Sequence, residues 1–516
     1  MKILFINPPF QRLKGIAQIY FPLGLGYLCS YISTDRRIDA LIYNAEVPSR
    51  LEQLPFHIRY QDMLNLHNRY IQAIKYDRHY VWQEVYKAVK EFNPDLIGIT
   101  VLTAKYGSAL RISQIAKSLN KSCKIVWGGP HASVDAERAL ENDTVDFVIR
   151  GEGEKTLKVL LDLLIEKRND SREGLSNVQG LSYKVDSRIL HNPDRPLIED
   201  LDVLPYPSKN RVMFAERYLP SSWGDIITLR GCPFNCGYCG AHNIWTNKVR
   251  YRSPQSVSEE IRLVISKYRN REFYFWDDNF TLNRERTIQL CRLLKGLKNR
   301  ISWGCTTRVD LLDGPLIKEM KQAGCNYVSI GIETGSSRLL KKIHKGISLK
   351  QASSAVELLN KHSLRYEAFF MVGFPEEEQE DIRQTFNFMK QLKKAKICFS
   401  MFTPYPHTEQ YELARKHELI PQRPDWSQFS HQSQSNHFMK NMTKEQFKKA
   451  VEEISAWVDD NNSDNTDILM LFWNSCLNFG LLIRRPTLFV NKIRTFLAII
   501  NQKIRVLFNA PSEIKL

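Results

Sequence analysis

Short apolar runs alternate with stretches of helical periodicity through residues 1–167. Residues 2–7 form an apolar run that stops at Pro8, and a proline cannot donate to a strand ladder. Residues 95–100 and 123–127 repeat this pattern, and each run is followed by residues with helical spacing. Because strands that alternate with helices of this length build βαβ units, we predict an α/β fold with a doubly wound parallel sheet. Two further strands are expected near residues 38–43 and 146–149.

Small and polar residues follow several of these strands. In a parallel sheet, ligands bind beyond the carboxyl ends of the strands, and glycine there lets the backbone approach a ligand closely. A single turn of this kind needs no ligand, but several turns on one rim of the sheet indicate a binding site. The residues that we expect at this site are Thr100, Gly128, Gly129, His131, Gly151 and Glu152.

Three of the ten cysteines form a C-x3-C-x2-C motif. Cys232, Cys236 and Cys239 follow a predicted strand, and the glycines and the proline among them favour a loop. Three thiolates can hold three corners of a [4Fe–4S] cluster and leave one iron open. Zinc is the alternative metal, and His242 would then supply its fourth ligand. The other cysteines are scattered through apolar segments, which is typical of small buried side chains.

The composition excludes several classes of protein. With 43% hydrophobic and 25% charged residues, the 516-residue chain is globular, and its ten cysteines are too few for a disulfide scaffold. We expect neither a signal peptide nor a spanning helix, because Met1 leads directly into a strand and no apolar run reaches about 18 residues. These features predict a cytoplasmic protein. The net charge of +17 is compatible with nucleic acid, anionic lipid or an acidic substrate, and does not choose among them.

The chain divides into four predicted regions. The first domain covers residues 1–170 and contains a polar and aromatic insertion at 46–93, with a helix expected near 78–92. A hairpin and a proline-containing linker follow at 171–221. Six strand–helix units can then be counted over 222–405, and active-site residues of such barrels lie at the carboxyl ends of the strands. Their strands are expected near residues 225–229, 272–276, 301–306, 326–330, 365–371 and 395–401.

The segment 222–405 resembles the radical S-adenosylmethionine (SAM) superfamily, on the cysteine loop and the residues that follow its strands. The resemblance implies a partial (βα)6 barrel, with SAM bound at the open iron and cleaved to a 5′-deoxyadenosyl radical. A polar residue at a strand end also caps the next helix in many proteins, and this alternative stays open for each polar residue below. The implied contacts are Tyr238 with the adenine, Asp277 and Asp278 with the ammonium group, Arg308 with the carboxylate, Glu333 with the ribose and Gly373 with the cofactor.

The first domain resembles the cobalamin-binding domain that precedes many radical SAM enzymes. The resemblance is carried by Asn-Pro-Pro after the first strand, by Gly-Gly-Pro-His ending at His131 and by Gly-Glu-Gly-Glu beginning at Gly151. The Asp-x-His-x-x-Gly loop of other cobalamin proteins is absent from the sequence. The resemblance therefore implies cobalamin without a histidine ligand, with His131 lining the site; contact of His131 with cobalt is the alternative.

The last region, 406–516, is predicted to be mainly helical. Residues 442–460 have the pattern of an amphipathic helix, with Thr443 and Gln446 spaced as a capping box. Residues 467–508 mix Leu, Phe, Trp and Ile with lysine and arginine. This pattern suits a helix at a membrane surface and equally a helical cap over the barrel mouth.

The order of the two resemblances, cobalamin domain and then radical SAM barrel, implies methylation of an unactivated carbon or phosphorus of a small-molecule or lipid substrate. The alternatives are a cyclase of the anaerobic porphyrin-ring type and a non-catalytic cobalamin sensor. A methylthiotransferase or an RNA-modifying enzyme would carry a second cluster motif or an RNA-binding β-domain, and neither is visible. We expect an electron donor such as flavodoxin or ferredoxin, peripheral membrane contact as an option, and no nucleic-acid partner.

Overall fold

The computed structural model describes residues 1–16, 18–48, 59–166, 172–433 and 436–464. Two parallel sheets dominate this part of the chain, one before and one after the linker, and helices connect their strands. The predicted α/β class is confirmed. The interface between the two sheets is aromatic: Trp223 stacks on Tyr218 and Tyr268, with ring centroids 4.8 and 4.9 Å apart, and lies 5.9 Å from Phe21.

The first sheet has the strand order β2-β1-β3-β4-β5-β6-β7, and its first five strands are parallel. The order reverses between β1 and β3, and a crevice at such a switch point is where doubly wound sheets bind ligands. The predicted doubly wound sheet is therefore confirmed. The strands are β1 Lys2–Asn7, β2 Asp39–Asn44, β3 Leu96–Thr100, β4 Lys124–Gly128, β5 Phe147–Ile149, β6 Leu181–Val185 and β7 Arg188–His191.

The predicted hairpin forms, but it joins the first sheet. Phe147 of β5 pairs antiparallel with Tyr183 of β6, and β7 completes the hairpin. The short strand β5 would otherwise leave an unpaired edge, and β6 covers it. The first domain therefore extends beyond the boundary at residue 170 that the sequence suggested.

Eight α-helices lie in the described part of this domain, and the insertion supplies two of them. The helix expected near residues 78–92 is α3, whereas α2 was not anticipated. The backbone N–H groups of Tyr60 and Gln61 at the start of α2 donate to Asp459, at 2.7 and 3.3 Å. This helix therefore packs against the last helix that the structure describes. The helices are α1 Leu23–Ile32, α2 Tyr60–Lys75, α3 Tyr80–Phe92, α4 Tyr106–Leu119, α5 Pro130–Val134, α6 Ala136–Leu140, α7 Gly153–Ile165 and α8 Arg172–Ser176.

The second sheet contains six parallel strands in the order β15-β14-β13-β12-β11-β8, which confirms the six predicted strands of the partial barrel. In the sequence between β8 and β11, the strands β9 and β10 form a separate, short antiparallel pair. The strands are β8 Asp225–Ile226, β9 Leu229–Arg230, β10 Arg250–Tyr251, β11 Glu272–Phe275, β12 Ser302–Arg308, β13 Cys325–Glu333, β14 Arg365–Val372 and β15 Lys396–Met401. The helices are α9 Ala241–Trp245, α10 Pro254–Tyr268, α11 Arg284–Lys295, α12 Gly314–Gln322, α13 Ser337–Lys342, α14 Leu349–Lys361, α15 Gln379–Gln391 and α16 Glu409–Lys416.

The last described element is α17, Lys444–Asp464. Its predicted capping box is confirmed: the Thr443 N–H donates to Gln446 Oε1 at 2.9 Å, and the Gln446 N–H donates to Thr443 Oγ1 at 3.3 Å. Its other end lies on β15, where the Asn462 amide exchanges two 2.8 Å hydrogen bonds with the backbone of Ile397. Among the described residues, no helix has the length and apolar character that crossing a bilayer requires. The predicted surface helix or cap at 467–508 lies outside the described residues.

Candidate active site

The three cysteines lie on a tight loop that begins where β9 ends. Gly231 has a φ of 105°, and a Cβ at this position would lie 2.1 Å from the Lys248 carbonyl oxygen, so only glycine fits. All three cysteines are free thiols, and the Cys239 N–H donates to the Cys236 carbonyl at 3.0 Å. Burial first, and then the neighbouring cysteines, raise the pKa of Cys239 to about 12. Three free thiols on one short loop are a donor set suited to a [4Fe–4S] cluster, although among the described residues the side chains are not gathered into a preformed metal site.

Two side chains donate towards the cysteine sulfurs. The Asn279 amide lies 3.3 Å from Cys232 Sγ, and the Arg308 guanidinium lies 4.0 Å from Cys236 Sγ. Both donors are buried, and hydrogen bonds of this kind orient the sulfur ligands of a metal site. Asn279 was not among the predicted site residues; its position directly after the two aspartates was the available signal.

Asp277 does not face an open site. Its carboxylate accepts hydrogen bonds from the Thr228 N–H at 2.6 Å, the Thr228 hydroxyl at 2.5 Å and the Leu229 N–H at 3.1 Å. Both oxygens are therefore occupied by the segment that enters the cysteine loop. The sequence implied that Asp277 binds the SAM ammonium group. In the structure, Thr228 and Leu229 already donate to both oxygens of its carboxylate, so Asp277 is not available for that contact.

Asp278 has the opposite environment. Its carboxylate makes no hydrogen bond with any residue that the structure describes, and it lines a cavity beside the cysteine loop. Solvent reaches it from this cavity, but the surrounding protein is dense: burial, followed by the charge of Asp277, raises the pKa of Asp278 to about 6. At neutral pH it is a carboxylate with free acceptor capacity, as an ammonium-binding residue requires.

Glu333 and Tyr238 are brought together by a lysine that the sequence did not single out. The Lys345 ammonium lies 2.8 Å from Glu333 Oε1 and donates to the Tyr238 hydroxyl at 3.2 Å. Glu333 has a φ of 73°, next to a register shift in β13, and this strained backbone turns its side chain towards Lys345. No pattern in the sequence pointed to Lys345, which follows the short helix α13.

Two further predicted residues have partners inside the protein. The guanidinium fork of Arg308 is paired with Asp310 at 2.9 and 3.0 Å, so its implied role with the SAM carboxylate would require a change of partner. The Gly373 N–H donates to the buried Glu377, and a Cβ on Gly373 would lie 2.9 Å from the ring of Phe447. The structure therefore places Gly373 in a packed turn.

A cavity of about 300 Å³ lies between the two sheets, and both domains line it. From the first domain it takes the predicted residues Thr100, Gly128, Gly129, Gly151 and Glu152, and from the barrel it takes Asp278. Apolar side chains, among them Phe5, form part of its lining. Gly98 packs against Phe5, and a Cβ on Gly98 would lie 2.7 Å from the Phe5 ring, so this position needs glycine. Lining residues that the sequence did not single out include Gly24, Leu25, Tyr27, Leu157, Arg230 and Trp276.

His131 is not part of this cavity. Its ring is buried against Trp426 and Tyr106, at centroid distances of 5.1 and 5.3 Å, and its Nδ1 lies 3.1 Å from the Thr103 hydroxyl. Burial lowers the pKa of His131 to about 3, so it is neutral. The Gly-Gly-Pro-His turn positions its glycines on the rim while its histidine packs underneath.

Comparisons with known proteins agree with this arrangement. The model of the radical SAM superfamily matches residues 226–389, and that of the B12 binding domain matches residues 62–161. Uncharacterized methyltransferase PH0819 of Pyrococcus horikoshii is 32% identical over 81% of this chain and 84% of its own length. The chain belongs to the radical SAM superfamily and carries a B12-binding domain. Its cofactors are accordingly a [4Fe–4S] cluster, SAM and cobalamin.

Other relatives of this radical SAM enzyme have different names. The anaerobic magnesium-protoporphyrin IX monomethyl ester cyclase of Rubrivivax gelatinosus is 26% identical, over 81% of this chain and 71% of its own. Among solved structures, the methyltransferase TsrM of Kitasatospora setae, with cobalamin and a [4Fe–4S] cluster bound, matches with a TM-score of 0.62 at 18% identity. The match covers 82% of this chain and 79% of that one. At this identity the likeness shows the shared fold.

In this radical SAM enzyme, a buried ionic clamp joins the B12-binding domain to the cysteine loop. Arg230, two residues before Cys232, pairs with Glu152 and with Glu154, each at 2.6 Å. The second oxygen of Glu152 accepts from Arg250 at 2.7 Å and from the Ile198 N–H at 2.6 Å. Glu152 therefore reaches the cavity with both oxygens occupied, and its observed partners are protein groups.

Breaking this clamp is expected to destabilise the enzyme strongly. Glu152→Gln leaves two buried arginines without a full counter-charge, which costs about 3 kcal/mol of unfolding free energy. Glu199→Gln is the matched control: its pair with Lys248 has the same 2.6 Å distance but is exposed, so solvent screens the pair and its loss should change the free energy of unfolding little. Urea denaturation of the two variants measures the difference in their stability. Equal midpoints would show that the buried clamp contributes no more to stability than the exposed pair.

Proposed function

We propose that this enzyme transfers a methyl group from SAM to an unactivated carbon or phosphorus of its substrate. The observation that carries the proposal is the single cavity lined by the glycine rim of the B12-binding domain and by Asp278 beside the cysteine loop. Such a cavity places a methyl carrier and a radical source next to the same substrate. Names of relatives support it: PH0819 is called a methyltransferase, and a cytidylyl-2-hydroxyethylphosphonate methyltransferase of Streptomyces wedmorensis is 23% identical over 79% of this chain and 80% of its own length.

When bound, the [4Fe–4S] cluster and SAM would supply the radical chemistry that opens an unreactive bond of the substrate, and cobalamin would supply the methyl group. The chain's own residues bind and orient. Asp278 offers its unpaired carboxylate to the SAM ammonium group, while Tyr238, held by Lys345, lies near the adenine with Glu333 at the ribose. Asn279 and Arg308 donate to the sulfurs of Cys232 and Cys236, which would hold the cluster. Gly128, Gly129 and Gly151 leave room for the corrin.

The small-molecule substrate would meet both cofactors in the cavity between the sheets, and the bound substrate and cofactors would displace water from it. An electron carrier such as flavodoxin or ferredoxin reduces the cluster. Peripheral contact with a membrane through residues 467–508 belongs to the proposal as well, on the basis of their sequence.

Two fates of SAM in each turnover test the reaction. If one SAM donates its methyl group and a second yields the radical, S-adenosylhomocysteine and 5′-deoxyadenosine form in roughly equal amounts. With SAM deuterated at the methyl group, the product gains one CD3 group. Mass spectrometry of reactions with reconstituted enzyme and cell extract measures both results.

The cyclase reaction is the second candidate, and the similarity to the Rubrivivax gelatinosus cyclase over 81% of the chain favours it. A cyclase would release 5′-deoxyadenosine without matching S-adenosylhomocysteine, and its product would carry no deuterium. The same time course therefore separates the two reactions.

A further inference from the structure

The end of the barrel opposite the cysteine loop has an unusual charge distribution. Three connections that lead from a helix into a strand, before β11, β12 and β15, contain no aspartate or glutamate. Their basic side chains are all exposed, and none forms an ion pair with a described residue. We call this surface the basic end; its residues are Arg269, Arg271, Lys298, Arg300, Lys393 and Lys394.

A cleft of about 640 Å³ opens on the basic end, between α10 and the end of α11. Its walls include Arg262, Arg269, Arg271 and Lys298, and no carboxylate lines it. Unpaired cations around a cleft without a counter-charge repel one another and are relieved by an anionic ligand.

The apolar neighbours of these cations indicate which anionic ligand fits. Leu263, beside Arg262, is 47% exposed, and Leu297 lines the cleft. Exposed aliphatic side chains among cations suit the boundary between lipid headgroups and acyl chains. A single-stranded nucleic acid would instead be met by aromatic side chains for stacking, and none lines this cleft.

The end of α17 lies at the same end of the barrel. Asn461 donates to the carbonyl of Ala395, directly before β15, and Asn462 pairs with Ile397. In the sequence, residues 465–516 follow this helix and contain Leu, Phe and Ile interspersed with Arg484, Arg485 and Lys492. This basic and apolar composition suits the same anionic surface.

We propose that the basic end is a docking surface for an anionic lipid bilayer, with phospholipid headgroups in the cleft. Docking in this orientation holds the opposite end of the barrel, with the cysteine loop, away from the bilayer. The inference does not depend on methyl transfer, since it uses residues remote from the cavity between the sheets.

Charge reversal on full-length, reconstituted enzyme tests this surface. In co-sedimentation with vesicles of phosphatidylcholine and phosphatidylglycerol, the combined variant Arg262→Glu, Arg271→Glu, Lys298→Glu is expected to bind at least about tenfold more weakly than the unmodified enzyme. The control variant Lys90→Glu, Lys121→Glu, Arg188→Glu changes charge equally on the exposed surface of the first domain and should bind normally. For the unmodified enzyme, binding falls as salt rises and is weak with phosphatidylcholine alone.

Three results would overturn the proposal: equal binding to neutral and anionic vesicles, equal loss in both charge-reversed variants, or binding that is lost on deletion of residues 465–516 but unchanged in the cleft variant. Tighter binding to a short RNA duplex than to vesicles, lost in the cleft variant, would identify a nucleic-acid surface and would also refute it. SAM cleavage by the cleft variant is expected to equal that of the unmodified enzyme, so a failure of docking and a failure of methyl transfer are distinguishable.

Discussion

Replacing any one of Cys232, Cys236 and Cys239 with alanine is expected to reduce bound iron from about four atoms per chain to background and to abolish formation of 5′-deoxyadenosine. Each cysteine holds one corner of the cluster, and the neighbouring Asn279 and Arg308 side chains are hydrogen-bond donors that cannot replace a thiolate ligand. Iron analysis and chromatography of anaerobic reactions with dithionite measure both losses.

Cys123→Ala is the matched control for these variants. Cys123 is as buried as Cys236 but lies at the start of β4, in the other domain, and its replacement should leave iron content and SAM cleavage intact. If a cysteine-loop variant retained SAM cleavage, the assignment of the cluster to this loop would be wrong.

Blocking the cavity between the sheets is expected to remove cobalamin without unfolding the chain. Gly24 lines the cavity in the first turn of α1, and a Cβ built on it meets no atom within 4 Å. Gly24→Phe therefore places a ring in open space that the corrin or its nucleotide would occupy, and retained cobalamin should fall more than tenfold. Absorbance of the purified, cobalamin-loaded enzyme measures the retained cofactor.

Gly24→Ala controls for the backbone change, because a methyl group leaves most of the cavity open and alanine suits a helix better than glycine. It should retain cobalamin as the unmodified enzyme does, while both variants keep their iron. Normal cobalamin retention by Gly24→Phe would place the cofactor outside this cavity.

The strand pattern and the cysteine spacing were sufficient to predict both sheets, since a buried parallel strand must be apolar and a cluster loop must be short. The insertion was harder. Both α2 and α3 have apolar residues at helical spacing, and Leu66, Tyr70 and Ala73 of α2 are buried, but the helix predicted for the polar insertion was only the later one. The contact of α2 with Asp459 is tertiary and leaves no local signal.

The polar residues of the site show a different limit. Asp277 and Asp278 are adjacent and chemically identical, and only the fold determines that the backbone of Thr228 occupies the first while the second faces the cavity. The sequence likewise placed Glu152 on the glycine-rich rim of the ligand site. In the structure its carboxylate pairs with Arg230 and Arg250. No sequence pattern pointed to Lys345, because its contact with Glu333 depends on a register shift in β13.

The outer edge of β15 bears on how copies of this protein behave beside one another. An open parallel sheet has two edges, and an uncovered edge recruits strands from other chains. Here three remote segments form hydrogen bonds at alternate positions along the edge. The Asn462 amide bonds with the backbone of Ile397, and the Tyr60 hydroxyl bonds with the backbone of Phe399. The Met401 N–H donates to the His431 carbonyl. These segments come from distant parts of the sequence, and a truncation before Asn461 would uncover the backbone of Ile397 as a template for intermolecular sheet formation.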